Sequence, residues 1–172
     1  MFGRALLLLL LVLAVSACGG SRPPPASSGP ALVAMSTALV DAHGTRAFRG
    51  TPDAVTEAVI AALRNLGYRI ALVQGTSQVK TEPMASGTTP LASTNAYGEL
   101  TYSTSTFTRT YSVTLTETAN GIVVRAAPHM AQDGRDVSGG AVWQLEGQSG
   151  EDAQWTRLFD EIAKSLAMVP PR

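Results

Sequence analysis

His43 and His129 are the only imidazoles in this 172-residue chain, and imidazole is the commonest acid–base group near neutral pH. Each stands beside glycine or proline in a connecting segment, a setting that exposes it to water. A metal site on His129 would need a carboxylate from Asp133 or Asp136, and that spacing matches no ligand motif. Ser77-Gln78-Val79-Lys80 has the S-x-x-K spacing that, on a helix, aligns a serine nucleophile with a lysine base. Here the segment alternates as a strand does, which sends Ser77 and Lys80 to opposite faces. Gly147-Gln148-Ser149-Gly150 is not a nucleophile elbow, and Asp133-Gly134-Arg135-Asp136 lacks the spacing of a calcium loop. No phosphate-binding glycine loop occurs. The chemistry-bearing residues therefore point away from catalysis, and neither a metal nor a cofactor is expected.

The exception is the single cysteine, Cys18. It follows Arg4, an unbroken apolar run from Ala5 to Val15, and the small pair Ser16-Ala17. A basic start, an apolar core and small residues make a secretory signal peptide over residues 1–17. A helix crossing the membrane needs roughly 20 apolar residues, and Leu6 to Ala17 is too short. Val15-Ser16-Ala17-Cys18 also resembles the lipobox of bacterial lipoproteins. The resemblance implies that Cys18 receives a diacylglycerol, becomes the first residue of the mature chain and anchors it to the membrane. Two or more acyl chains, at about 0.8 kcal/mol per buried CH₂, hold durably. Gly19 stands where an aspartate tends to retain such proteins in the inner membrane. The resemblance thus implies the periplasmic face of the outer membrane if the cell is Gram-negative. Ordinary signal-peptidase cleavage after Ala17 is the alternative, and it would leave a free thiol in an oxidising compartment.

Residues 18–30 read as the lipidated cysteine and a tether, CGGSRPPPASSGP. Its Pro, Gly and Ser content cannot bury a core, and its twelve residues after Cys18 hold the domain about 25–35 Å from the lipid. Residues 31–172 fit one domain, with a core over about 45–168. With Arg4 removed, the mature part carries 12 basic and 13 acidic residues. That balance gives no field for nucleic acid.

Thr51-Pro52-Asp53 caps a helix whose stripe is Val55, Val59, Ala62, Leu63 and Leu66, and Gly67 ends it. A strand over Tyr68 to Val73 and a second over Gln78 to Glu82 follow. Pro83 to Gly98 reads as a polar loop with two prolines. Phe107, Tyr111, Val113 and Leu115 then alternate with Thr108, Thr110, Ser112, Thr114 and Thr116, with Arg109 interrupting the oily side. Such a period-two pattern means a half-solvated antiparallel strand. Asn120-Gly121 turns it into Ile122-Val123-Val124-Arg125, and His129 to Gly140 reads as another loop. A closing helix starts at Ser149 as cap with Asp152, and buries Trp155, Leu158, Phe159, Ile162 and Leu166. The expected fold is α+β: a two-layer sandwich, with two amphipathic helices packed on one face of a mainly antiparallel sheet.

The order "LRNLGYRI", "SQVKTEP", "YSVTLTETANGIVVRA" and "WTRLFDEIAKSLAM" resembles small envelope lipoproteins and the helix-grip domains of BamC-type lipoproteins of the outer-membrane protein assembly machine. The resemblance spans about Thr45 to Met168 and implies a non-catalytic interaction or assembly-accessory module with an envelope protein partner. A carrier or sensor of a small apolar or amphipathic ligand, held between helices and sheet, is the alternative. The hydroxyl row of Thr108, Thr110, Ser112, Thr114 and Thr116 is the candidate partner face. Threonine also simply suits a strand and keeps an exposed face soluble.

Overall fold

The computed structural model describes residues 31–168. The signal peptide, Cys18 and the tether all lie outside the described residues.

Order along the chain is β1 (Leu32–Ala34), α1 (Thr37–His43), β2 (Thr45–Phe48), α2 (Pro52–Asn65), β3 (Ile70–Gln74) and β4 (Gln78–Thr81). There follow β5 (Met84–Thr94), β6 (Leu100–Thr118), β7 (Gly121–Gln132), β8 (Arg135–Asp136), β9 (Ala141–Gln144) and α3 (Glu151–Ala167). The chain is α+β, and every strand pairing among the described residues is antiparallel. Three helices are described rather than the two expected. The extra one, α1, is short; Ser36 caps it by accepting the Leu39 N–H, and it buries Val40. Ordered elements accordingly begin at Leu32, ahead of the core start expected near Thr45.

Helix α2 forms as its sequence dictates. The Thr51 hydroxyl accepts the Ala54 N–H at 3.3 Å, Pro52 occupies the first turn, and Asp53 meets the positive end of the dipole. At the other end Tyr68 N–H bonds Leu63 O and Gly67 N–H bonds Arg64 O. That paired closure requires a left-handed residue, and Gly67 supplies it at φ +88°. Helix α3 departs from expectation. Its N-cap is Gly150, with no side-chain cap bond, rather than Ser149. A Cβ at residue 150 would strike the carbonyls of Leu145 and Glu146, so only glycine lets the chain enter the helix there.

The main sheet runs β2-β7-β6-β4-β3, with β5 also on β6 and β8 on β7; β1 and β9 form a separate pair. A hairpin joins β6 and β7 where expected, but its two turn residues are Ala119 and Asn120 rather than Asn120 and Gly121, because Gly121 already pairs with Thr118 as the first residue of β7. Two expected loops are strands. Met84–Thr94 pairs with Leu100–Arg109, and β7 continues through His129 to Gln132. Pro90 is tolerated because β5 has no strand on its other side. Pro128 is tolerated because it falls between β2, which covers β7 only at Ile122–Arg125, and β8, which joins that edge at Ala131 and Gln132.

One buried cluster holds these elements together. It draws Val55, Val59, Ala62 and Leu63 from α2, Trp155, Leu158, Phe159 and Ile162 from α3, and Val79, Tyr111, Val113 and Val124 from the sheet. Trp155 Nε1 donates to Ala126 O at 2.9 Å, which satisfies its one polar atom inside that cluster.

Candidate functional site: a buried arginine, a hydroxyl face and a projecting ribbon

Strand β6 positions three features at once, because its side chains alternate between faces. Ser105, Arg109, Tyr111, Val113 and Leu115 are buried, whereas Thr108, Thr110, Ser112 and Thr114 are half-buried and Thr116 is exposed. The expected hydroxyl row thus stands on the side opposite the core.

On the core side, Arg109 interrupts the oily run for a reason the sequence alone did not supply. Its Nη2 donates to Glu151 Oε2 and, at 2.9 Å, to the Tyr111 hydroxyl, which itself donates to Glu151 Oε1 at 2.5 Å. Glu151 opens α3 and is only 1% exposed. A buried charge must be paired and hydrogen-bonded, and here both carboxylate oxygens are satisfied. Burial pushes the Tyr111 phenol well above its ordinary value, against the opposing pull of the Arg109 cation. Tyr111 therefore stays a hydrogen-bond donor at neutral pH. The thiol-free trio locks strand to helix and offers neither a free base nor a nucleophile. One buried donor is left over: Arg109 Nε has no hydrogen-bond partner among the described residues.

Arg109 and Glu151 border a cleft of about 360 Å³ with Leu32, Ser86, Met130 and Trp143. Trp143 is buried, its Nε1 donates to Ser138 O at 2.9 Å, and the Arg109 guanidinium lies 5.6 Å from its ring centre. The cleft lies beside β1, β9 and the base of β5, not between the helices and the sheet. That interval is filled by side chains that are 0–1% exposed, among them Leu63, Trp155 and Phe159.

On the hydroxyl side, Thr110 and Ser112 share a depression of about 210 Å³ with Lys80 and His129. It opens where β4 and β5 part on either side of Arg109–Ser112. Thr108, Thr114 and Thr116 lie along the same strand outside it.

The third feature is the ribbon of β5 and β6 beyond the body. From Ala85 to Thr94 and from Leu100 to Thr104 nearly every residue is exposed, on both faces. Leu100 to Thr106 spans roughly 20 Å at about 3.3 Å per residue. Asn95 closes its tip: Oδ1 accepts the N–H groups of Tyr97 and Glu99 at 2.9 and 3.0 Å. Tyr97, Leu100 and Tyr102 are 89%, 62% and 77% exposed. Between Pro83 and Thr108 the only charged residue is Glu99.

The other expected candidates are placed as follows. His43 ends α1 with Nδ1 3.3 Å from Asp152 Oδ1 and its ring stacked near Trp155, while His129 lies exposed on β7. Asp133 and Asp136 do not converge on His129. Asp133 accepts from Ser105 and Thr106, and Asp136 from Ser138, and these bonds hold both carboxyls below their ordinary range. The Ser77 hydroxyl donates to Gln74 O in a turn, and Lys80 is on strand β4. No helix among the described residues is long and apolar enough to cross a membrane. No known family model matches the chain, and no curated protein matches it either.

Proposed function

We propose that the chain is a bacterial envelope lipoprotein, anchored through a lipid on Cys18, whose domain is a non-catalytic interaction module. In this reading the fold is a two-layer sandwich, with α2 and α3 covering the core side of the sheet and the hydroxyl row facing outward. The observation that carries the reading is the β5–β6 ribbon, a projection that is uncharged save for Glu99 and displays Tyr97, Leu100 and Tyr102 to solvent. Exposed aromatic and aliphatic side chains on one projection favour contact with another macromolecule. Envelope pull-down with the full chain as bait tests this. Changing Tyr97, Leu100 and Tyr102 together to serine should remove the captured partner while leaving the circular dichroism spectrum unchanged. Undiminished capture by that folded variant would contradict the reading.

A second reading is favoured by the cleft that Arg109 borders. An amphipathic ligand would place an acidic or oxygen-bearing head towards the Arg109 guanidinium and lay its apolar part against Leu32 and Trp143. This moves the carrier alternative from the helix–sheet interface to the cleft. Mass spectrometry of the native protein should then detect a co-purifying small molecule, and filling the cleft mouth with Ser86→Trp should expel it.

A further inference from the structure

Strand β7 stops pairing with β6 at Phe107, and Asp133 takes over at the next residue. Its Oδ1 accepts the Thr106 N–H at 2.8 Å, and its own N–H donates to Thr106 O at 3.0 Å. Thr106 therefore turns both backbone groups away from β5. Backbone groups alternate sides along a strand, so Thr104, Tyr102 and Leu100 turn theirs the same way. No strand pairs with them there among the described residues.

The two edges of the ribbon differ. Edges that avoid pairing carry proline, charge or a bulge. The β5 edge has Pro90 and a bulge between Ala85 and Gly87. The β6 edge from Leu100 to Thr106 has no proline and no charge. One edge is guarded and the other is open.

We propose that this open edge pairs with the same edge of a second copy, antiparallel about a two-fold axis at Tyr102. An isologous contact matches a surface with itself, and this edge allows it. Tyr102 falls opposite Tyr102 and Leu100 opposite Thr104, and directly opposed residues share a face. Two exposed phenol rings meet, and Leu100 meets a threonine methyl. Glu99 falls opposite Ser105, so no charge faces its own image. The mature part, with 12 basic and 13 acidic residues, has a formal net charge of only −1, so little long-range repulsion holds copies apart. The inference deepens the interaction-module reading and rests on it in one respect: anchoring both copies in one membrane raises their effective concentration.

The test uses the full chain in its host membranes. Tyr102→Cys should give a disulfide-linked dimer on a non-reducing gel, because the two positions coincide at the axis. Leu91→Cys, exposed on the guarded strand, should not. Adding Thr104→Pro to Tyr102→Cys removes an outward N–H and should abolish the dimer. A monomeric Tyr102→Cys protein would overturn the proposal, as would equal crosslinking through Leu91→Cys or capture of a different protein. The unmutated chain separates the two readings. If it dimerises by disulfide through Cys18, the lipid anchor fails, whereas the edge is judged by Tyr102→Cys with Cys18→Ser.

Discussion

Arg109, on strand β6, donates to Glu151, the first residue of helix α3, and the Tyr111 hydroxyl closes the triangle between them. Forty-two residues of chain separate the pair, so it ties the closing helix to the middle of the sheet. Breaking such a buried pair leaves a charge uncompensated. Arg109→Met should cost about 3–5 kcal/mol in denaturant unfolding. Arg109→Met with Glu151→Leu should recover most of that loss, because neither charge is then buried alone. A double variant as unstable as the single one would contradict this.

Much of the fold was legible in the sequence because its signals are local. Thr51, Pro52 and Gly67 bound α2 by capping chemistry, and the alternation from Phe107 to Leu115 marks the buried side of β6. The partner of Arg109 was not legible, since an arginine breaking an oily run says that a counter-charge exists but not where. Strand β5 was missed because Pro83, Gly87, Pro90 and small hydroxyl residues read as loop. Its pairing comes from β6, a tertiary effect that overrides weak local propensity. Helix α3 was placed correctly but its cap was not, because the close approach of the Leu145 and Glu146 carbonyls to Gly150 is invisible to a capping rule.

The core should stand on its own packing. Leu63 and Phe159 are buried in the shared cluster, and truncating either to alanine should cost about 2–5 kcal/mol. A chelator should leave the thermal midpoint unchanged. Unfolding on addition of chelator would overturn the expectation that no metal supports the fold.

Asp133 guards the point where the ribbon leaves the body. Bonds from the Ser105 hydroxyl and the Thr106 N–H hold its carboxyl below the ordinary range. A group with a lowered folded-state pKa contributes fully above the ordinary aspartate value of about 3.9, and its contribution fades as pH falls through the lower folded value. Thr106 amide exchange should thus stay protected at neutral pH and open only on strong acidification. Asp133→Ala should open it throughout. A protected Thr106 amide in that variant would contradict the capping role.

The hydroxyl face invites a direct comparison. Thr110 borders the depression with Lys80 and His129, whereas Thr114 lies outside it. If this face meets a partner, Thr110→Glu with Thr114→Glu should reduce envelope capture while the domain stays folded. Full recovery of the partner by a folded double variant would leave the row as solvated surface, and the ribbon as the sole contact.

The anchor at Cys18 is the part of the account on which location, tether and partner class all depend. Intact-mass spectrometry of the protein extracted from its host membrane reads it in one step. The account predicts a mature chain that begins at Cys18 and carries a diacylglycerol on its thiol, with Cys18→Ser accumulating as unprocessed precursor. A mature amino terminus at Cys18 with an unmodified thiol would contradict it.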